Sequence, residues 1–431
     1  MKYNVAELAE SAMSLAVELW PLNRSLINKA TSITLSKLIG QFEPAATIHR
    51  FPSGMQLGTW TIPKAWEVKS AKVKNLQGEV LINWEDCNLH LMSYSRSVSG
   101  KYSHEELMRH IHFDKKKPRW IPYRTSYYDD DWAFCVSESE FTKLNQDFYQ
   151  IDIDTEFQDS NLEIGEVYIP GKTRSEIVFT TYVCHPSMAN NELSGPIVLQ
   201  ALIKYLMQEE DNYYSYRFLF LPETIGAIAY LSENFAMLKE NVVAGFVVTC
   251  IGDNRDWGYI PSRSGATMAD KVAKRVLEEY CDSFKSFSFL DRGSDERQFC
   301  SPGVDLPFCS ITRSKYATYP EYHTSGDDLS MFSIESLSES IGFFIELIYS
   351  FEKNRIYVAN QIGEPFFKNF GMRKNQGASL LDASSKVYSD VVALSDKTND
   401  AEELVKILNC SREMIETVYS ELTTHCLVEK I

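Results

Sequence analysis

Apolar and polar residues recur with two different periods, and the change of period divides the chain into segments. Near the start, apolar residues return every three or four positions, at Val5, Leu8, Ala12, Leu15, Ala16 and Leu19. This spacing predicts an amphipathic helix, and a second helix is expected over residues 32–39. From about residue 51 to 148, short aromatic and β-branched runs are separated by Pro and Gly. That texture is typical of a small β domain, interrupted by one helix that Ser103 and Glu106 would cap.

Between about residues 163 and 354, apolar strands alternate with helical segments. Strands are expected at 176–183, 216–221, 244–251 and 305–311. Helices are expected at 193–206, 226–238, 268–280 and 334–351. Such alternation predicts an α/β fold, with a mostly parallel sheet flanked by helices on both faces.

The end of the chain has a different pattern. Asn399 and Glu402 suit the start of the helix AEELVKIL, Ser411 suits the cap of the helix REMIETVYSEL, and the strand-like LVEKI follows. This order predicts a winged-helix-like module. Residues 396–431 contain eight acidic and four basic residues, which argues against DNA and favours a protein-docking or packing role.

The pattern predicts four units along the chain. They are the N-terminal helices of the α/β domain (residues 1–45), an inserted β domain (46–148), the α/β domain itself (149–355) and the winged-helix-like module (356–431). A hydrophobic content of 44% is sufficient for a sizeable core.

The net charge, the apolar runs and the cysteines argue against several classes of protein, namely nucleic-acid-binding, membrane and secreted proteins. A net charge of −16 repels nucleic-acid backbones and anionic membrane surfaces. No apolar run approaches the ~18 residues of a membrane span, and acidic residues interrupt the N-terminal region where a signal peptide would lie. The nine cysteines are scattered and form no C-x-x-C pair. Reduced thiols in a cytoplasmic protein are therefore expected.

Four polar residues follow four predicted strands. His185 follows EIVFTTYVC, Glu223 follows YRFLFLP, Asp253 follows GFVVTCIG, and His323 lies in the loop YPEYHTSGDD. The carboxyl ends of parallel strands share one edge, so these groups are expected to converge there. Two histidines and two carboxylates in one crevice suit zinc. Each residue alone also has a structural explanation, as a hydrogen-bonded loop histidine, a helix-start carboxylate or a turn former.

The same segments resemble a known family. PEYHTSGDDL resembles the YHT-x-x-D segment of zinc aminopeptidases that share a fold with glutaminyl cyclases, and GSDERQFCSPGVDLPF resembles the segment before it. CHPSMANNELSGP resembles their strand-end His and A-x-D-x-x-SG turn, and PETIG resembles their E-E-x-G signature. LWPLNRSL, WTIPKAWEVKSAKV and EVYIPG extend the likeness almost from end to end, to a bacterial aminopeptidase-like family with an inserted β domain and a C-terminal winged helix.

The resemblance implies a role for each matching residue. His185 and His323 would be zinc ligands, and Glu223 would be the general base. Asn191 stands where a bridging Asp is usual, and Thr224 stands where a second metal-binding Glu is usual.

These two departures remove anionic ligands. Zinc takes about four ligands, so the resemblance implies one zinc ion, held by both histidines and a carboxylate from Asp253 or Glu192. Thr249 is an alternative match for the position given to Asp253.

Substrate contacts are expected from Arg297, which could clamp an anionic group, and from a pocket lined by Phe299, Tyr319 and Tyr322. Surface ion pairing and ordinary packing are the alternatives. The leading function is hydrolysis of a peptide or amide bond in a small substrate. A glutaminyl cyclase type of acyl transfer and a metal-poor binding or regulatory protein remain open. The β domain could restrict access to the crevice or form the interface of a homo-oligomer.

Overall fold

The computed structural model of the protein describes residues 4–372 and 383–431. The helices are α1 (Val5–Leu19), α2 (Lys29–Ile39), α3 (His104–Met108), α4 (Glu138–Phe141), α5 (Ser194–Leu206), α6 (Ile225–Asn241), α7 (Met268–Tyr280), α8 (Glu296–Phe299), α9 (Ile334–Lys353), α10 (Ala383–Ala393), α11 (Ala401–Leu408) and α12 (Arg412–Thr424). The strands are β1 (Ala46–Pro52), β2 (Gln56–Leu57), β3 (Trp60–Thr61), β4 (Ala65–Asn75), β5 (Val80–Asn83), β6 (Val98–Ser103), β7 (Ile111–His112), β8 (Phe134–Cys135), β9 (Phe148–Gln158), β10 (Asn161–Ile169), β11 (Glu176–Tyr182), β12 (Ser215–Leu221), β13 (Val242–Val248), β14 (Trp257–Ile260), β15 (Phe284–Ser286), β16 (Phe308–Thr312), β17 (Ile356–Ala359), β18 (Asp396–Asp400) and β19 (Val428–Lys430).

An eight-stranded sheet organises the fold, in the order β1-β10-β12-β11-β13-β16-β14-β15. Its four middle strands run parallel, whereas β10 and β14 join them antiparallel. Every residue of β11, β12, β13 and β16 is buried, as expected for strands covered on both faces. The predicted α/β architecture is confirmed, and the predicted strands differ from the observed ones mainly at their ends.

Helices cover both faces of this sheet. The larger apolar core joins it to α1, α2, α5, α7 and α9. A second core joins the opposite face to α6 and to a separate antiparallel sheet of order β5-β4-β9-β6. Within the described ranges, no helix is both long and apolar enough to cross a bilayer.

Two strands pair in the sheet that lies on the other side of the domain boundaries expected at residues 46 and 148. Strand β1 pairs with β10 in the large sheet, and β9 pairs with β4 and β6 in the small one. The predicted capping box is confirmed, because Ser103 and Glu106 satisfy each other's backbone N–H groups at the start of α3.

The C-terminal segment has a core of its own, formed by α10, α11, α12 and the sheet β18-β17-β19. Ser411 caps α12 as predicted. Asn399 does not cap α11, and that prediction was wrong. The neighbouring Asp400 accepts from Glu403 N, because the Asn399 side chain instead accepts from Lys271 and donates to Leu394 O.

The start of α5 fixes the distance between that helix and the large sheet. Gly195 lies so close to the sheet that a Cβ there would stand 2.1 Å from Thr181 Oγ1 and 2.3 Å from Val248 O. Both contacts belong to buried neighbours, which cannot yield cheaply. This contact therefore fixes the position of the start of α5, and with it the position of the residues just before the helix, which face the crevice.

Gly195→Ala is expected to destabilise the protein by about 1–3 kcal/mol, since overpacking outweighs the better helix propensity of Ala. Gly303→Ala is the control, because a Cβ there meets nothing within 4 Å. Urea unfolding followed by tryptophan fluorescence measures both midpoints. Equal midpoints for the two variants would contradict the packing argument.

Candidate functional site

His185 lies just beyond the carboxyl end of β11 and is oriented by a buried carboxylate. Its Nδ1 is 2.7 Å from Glu192 Oε2, and its Nε2 is 3.8 Å from Glu223 Oε2. Burial alone would lower the pKa of His185, but the charges of Glu192 and Glu223 outweigh it and raise that pKa. A carboxylate on Nδ1 fixes the ring orientation and leaves Nε2 to face the crevice.

Glu192 is balanced by a buried guanidinium. Arg24 and Glu192 are both fully buried, with Arg24 Nε 3.6 Å from Glu192 Oε1. Arg24 also donates to Leu19 O. Burial lowers the pKa of Arg24, and the negative charge of Glu192 opposes that change. Arg24 and Glu192 thus form a buried pair of opposite charges behind His185.

Cys184, His185 and Glu192 form a group of three possible metal-ligating side chains in the described part of the chain. The geometry argues against a metal ion among them. His185 Nδ1 and Glu192 Oε2 already bind each other, and burial raises the pKa of the Cys184 thiol well above its usual value. The Arg24 cation beside Glu192 would also repel a second cation.

His323 supplies the second imidazole. Its ring centroid is 5.3 Å from that of His185, and Tyr322 stacks on it at 4.0 Å. Its buried Nε2 has no hydrogen-bond partner among the residues that the structure describes, which is uncommon for a buried polar atom. Burial lowers the pKa of His323 well below its usual value, and the positive charges of His185, Lys117 and Arg124 lower it further.

Glu223 follows β12 and shares its surroundings with a second carboxyl group. The Glu223 side chain is 22% exposed, so it reaches the crevice. Burial raises its pKa, and His185 opposes the rise. Burial and the charge of Glu223 raise the pKa of Asp295 well above its usual value. The charge of Glu223 thus disfavours ionisation of the neighbouring Asp295.

Thr224 holds Glu223 in place through a strained backbone. Its φ is +66°, which is rare for a β-branched residue. Asp295 Oδ1 accepts from Thr224 N at 2.7 Å, and Arg297 donates to Thr224 Oγ1 at 2.8 Å. Strain of this kind persists where surrounding contacts enforce it, often at functional sites.

A π-helical turn, Ala189–Leu193, connects the crevice to α5. Asp327 fastens this turn by accepting from Asn190 N and Asn191 N at 2.5 and 2.9 Å. Burial raises the pKa of Asp327 to about 6. The Asn191 side chain accepts from Tyr182 OH at 3.1 Å. The turn therefore places Asn191 against Tyr182 and points Glu192 at His185.

The structure places the remaining sequence-predicted residues less centrally. Asp253 accepts from Ser314 and Asn190, and among the contacts of the described residues none joins it to either histidine. Phe299 is fully buried and stacks on Phe308, which puts it in the core rather than at the crevice.

The aromatic and hydroxyl residues named from the sequence divide between the crevice and its support. Tyr322 stacks on His323 at the crevice. Tyr319 is buried and donates to Asp327, and Thr249 binds Tyr182 OH at 2.6 Å. The last two therefore support the π-helical turn rather than facing the crevice.

Sequence reasoning missed several residues that shape the site. Arg24 and Asp295 lie inside LWPLNRSL and GSDERQF, which were used only for their resemblance, and nothing in their spacing marked them as functional. Tyr123 comes from the segment expected to form the β domain, yet its ring lies 5.2 Å from those of both His185 and His323. No local sequence pattern could have predicted this contact.

Comparison with known proteins places the chain in a family. A family model described as a domain of unknown function, DUF4910, matches residues 13–354. The chain belongs to the DUF4910 family. A Clostridium acetobutylicum protein, provisionally named a polysaccharide biosynthesis protein with an aminopeptidase-like domain, is 39% identical over 355 residues, which cover 82% of this chain and 81% of that protein.

Two solved structures are also similar to this DUF4910 protein. A provisionally named peptidase from Clostridium acetobutylicum shares 34% identity over 99% of this chain and 98% of its own, with a TM-score of 0.81. A zinc aminopeptidase from Bacillus subtilis covers 80% of this chain and 94% of its own, with a TM-score of 0.58 and 12% identity. The second likeness shows that the fold is that of the aminopeptidases.

Lowering the pH of the metal-free protein from about 7 to about 5 is expected to destabilise it partly through His323. The unfolded chain binds a proton there around pH 6.5, whereas burial in the folded chain lowers the pKa of His323 well below that value. The cost reaches about 1.4 kcal/mol for each pH unit between the two pKa values. His323→Gln should therefore lose less stability over this range than the wild type, measured by urea midpoints.

His425→Gln is the matched control, because His425 is exposed in the C-terminal segment. It should follow the wild-type pH profile. If His323→Gln also follows that profile, His323 takes up a proton in the folded protein and the assignment of a neutral ring is wrong.

Proposed function

We propose that this protein is a zinc-dependent, aminopeptidase-like hydrolase that cleaves a peptide or amide bond of a small substrate. One observation carries the proposal: the partnerless, buried Nε2 of His323 lies beside His185, whose Nε2 faces Glu223. A buried imidazole nitrogen without a partner fits a metal ligand.

The donor set suits a single ion. His185 and His323 would hold it, with Glu192 acting through the Nδ1 of His185, as carboxylates commonly do behind zinc-bound histidines. Asn191 and Asp253 are proposed contributors to the remaining coordination, and each now accepts hydrogen bonds from its neighbours. Bound zinc would lower the pKa of water and polarise the substrate carbonyl.

The residues of the chain itself would carry the proton. Glu223 is the proposed general base, which takes a proton from the attacking water and returns it to the leaving amine. Burial and the charge of Glu223 raise the pKa of Asp295, which favours leaving the negative charge that this requires on Glu223. Arg297, anchored on Thr224 and Ser294, is proposed to contact the substrate near Glu223, and Tyr322 to line the crevice.

Asn191 and Thr224 also support two alternatives, because both replace anionic ligands of two-metal sites. A cyclising acyl transferase would work with one metal, and a binding protein would need none. A cytoplasmic location is proposed from the nine free thiols. We also propose that the chain has an inserted β domain and a C-terminal winged helix.

Zinc-saturated, dialysed protein is expected to hold about one ion per chain, measured by mass spectrometry of the metal. His185→Gln and His323→Gln should each hold far less, since each removes a donor. His425→Gln, on the exposed end of the chain, should hold as much as the wild type. Full zinc content in both crevice variants would exclude the proposed ligands.

Glu223→Gln should keep its zinc and lose about 100-fold or more in kcat on aminoacyl amides, since it removes a general base. Amine release and product mass are the readouts. Undiminished turnover would reject the assignment of the base. A lactam product from an amino-terminal glutamine would identify the cyclase, and zinc binding without any turnover would favour the binding protein.

A further inference from the structure

A pocket separate from the crevice opens at the end of β9. It has a volume of about 500 Å³ and shares no lining residue with the crevice. Four aromatic side chains line it, namely Tyr94, Tyr127, Tyr128 and Phe157. Tyr128 is 54% exposed and Phe157 is 40% exposed. A concave group of exposed rings with this volume is typical of a binding site rather than of ordinary surface.

The rings of this aromatic pocket stand at steep angles to one another. The Tyr94 and Tyr127 rings are inclined by 84° with their centroids 5.2 Å apart, and the Tyr94 and Phe157 rings by 63° at 5.9 Å. The fourth ring is held in place because Tyr128 OH donates to Thr61 O at 3.1 Å. Rings inclined in this way form the corner of a box, which fits a rounded group better than a flat one.

The charged side chains of the aromatic pocket leave one carboxylate over. Lys64 Nζ lies 3.6 Å from Asp159 Oδ1, and Arg96 Nε lies 3.4 Å from Asp130 Oδ1. Asp129 lines the pocket as well, and within residues 4–372 and 383–431 no cationic side chain lies within ion-pair distance of it. The pocket therefore carries a net negative charge beside its rings.

We propose that the aromatic pocket binds a small organic cation with an alkylated ammonium group. The face of an aromatic ring is the negative part of its quadrupole and attracts a cation, while the alkyl groups bury apolar surface against the rings. Asp129 supplies the balancing charge. The inference goes beyond the proposed hydrolase and does not depend on it, because no side chain of the pocket is among the proposed zinc ligands or catalytic residues.

Choline is the probe, and two analogues separate its charge from its shape. Neohexanol has the same shape, with a carbon atom in place of the nitrogen, and is neutral. Ethanolamine keeps a positively charged nitrogen but lacks the methyl groups. The dissociation constant of each compound is measured by calorimetric titration of the full chain. Choline is expected to bind at least about fivefold more tightly than either analogue.

Variants of the pocket test whether its rings and its carboxylate hold the cation. Tyr128→Leu and Asp129→Asn should each weaken choline binding by about threefold or more, because the first removes a ring face and the second removes the unpaired charge. Tyr128→Phe keeps the ring and should keep the affinity. Tyr349→Leu is the matched control for the ring, since Tyr349 is also 54% exposed. Asp147→Asn is the control for the charge, since Asp147 is exposed and lies just before the other end of β9.

Both controls should bind choline like the wild type. If choline binds no more tightly than neohexanol or ethanolamine, or does not bind at all, the proposed site is wrong. Wild-type affinity for choline in both Tyr128→Leu and Asp129→Asn would place the cation elsewhere on the protein and would also overturn it. Tighter binding of methyl glucoside than of choline would assign the pocket to a sugar instead. Because both substituted side chains are exposed, the variants should fold, and urea midpoints equal to that of the wild type check this.

Discussion

The site depends on the hydrogen bond between Glu192 and His185 inside the protein. A buried carboxylate is stable only when it is paired, and here Arg24 supplies the opposite charge while His185 supplies the proton. Because this pairing consumes Nδ1, the other imidazole nitrogen must face the crevice. The orientation of the first proposed ligand is thus a consequence of how the core neutralises one acidic side chain.

A second constraint sets where that carboxylate stands. The π-helical turn Ala189–Leu193 widens the start of α5, and Asp327 fastens it through two backbone N–H groups. π-Helical turns are rare and frequently occur at functional sites. The lack of a side chain at Gly195 lets the start of α5 lie close against the sheet. Loop, helix and strand therefore position Glu192 and Asn191 together.

The crevice brings together carboxyl groups with raised pKa values and an imidazole with a lowered pKa. Glu223 and Asp295, whose pKa values are raised by burial, lie on one side, and His323, with a pKa held low by burial, lies on another. The positive charges of Lys117 and Arg124 also act on His323. Such contrast within one crevice is typical of sites that handle protons and charged ligands. It fits the aminopeptidase-like fold of this DUF4910 protein.

The sequence by itself determined the α/β fold, most helices and central strands, and the meeting of His185, Glu223 and His323, because hydrophobic periods and strand-end positions are local signals. It missed the cap of α11, since Asn399 is drawn away by Lys271. Only the tertiary structure decided that Glu192 orients His185 and that Ser314 donates a hydrogen bond to Asp253. It also decided that Arg24, Asp295 and Tyr123 belong to the site. These facts depend on contacts between residues distant in the chain, which no local spacing encodes.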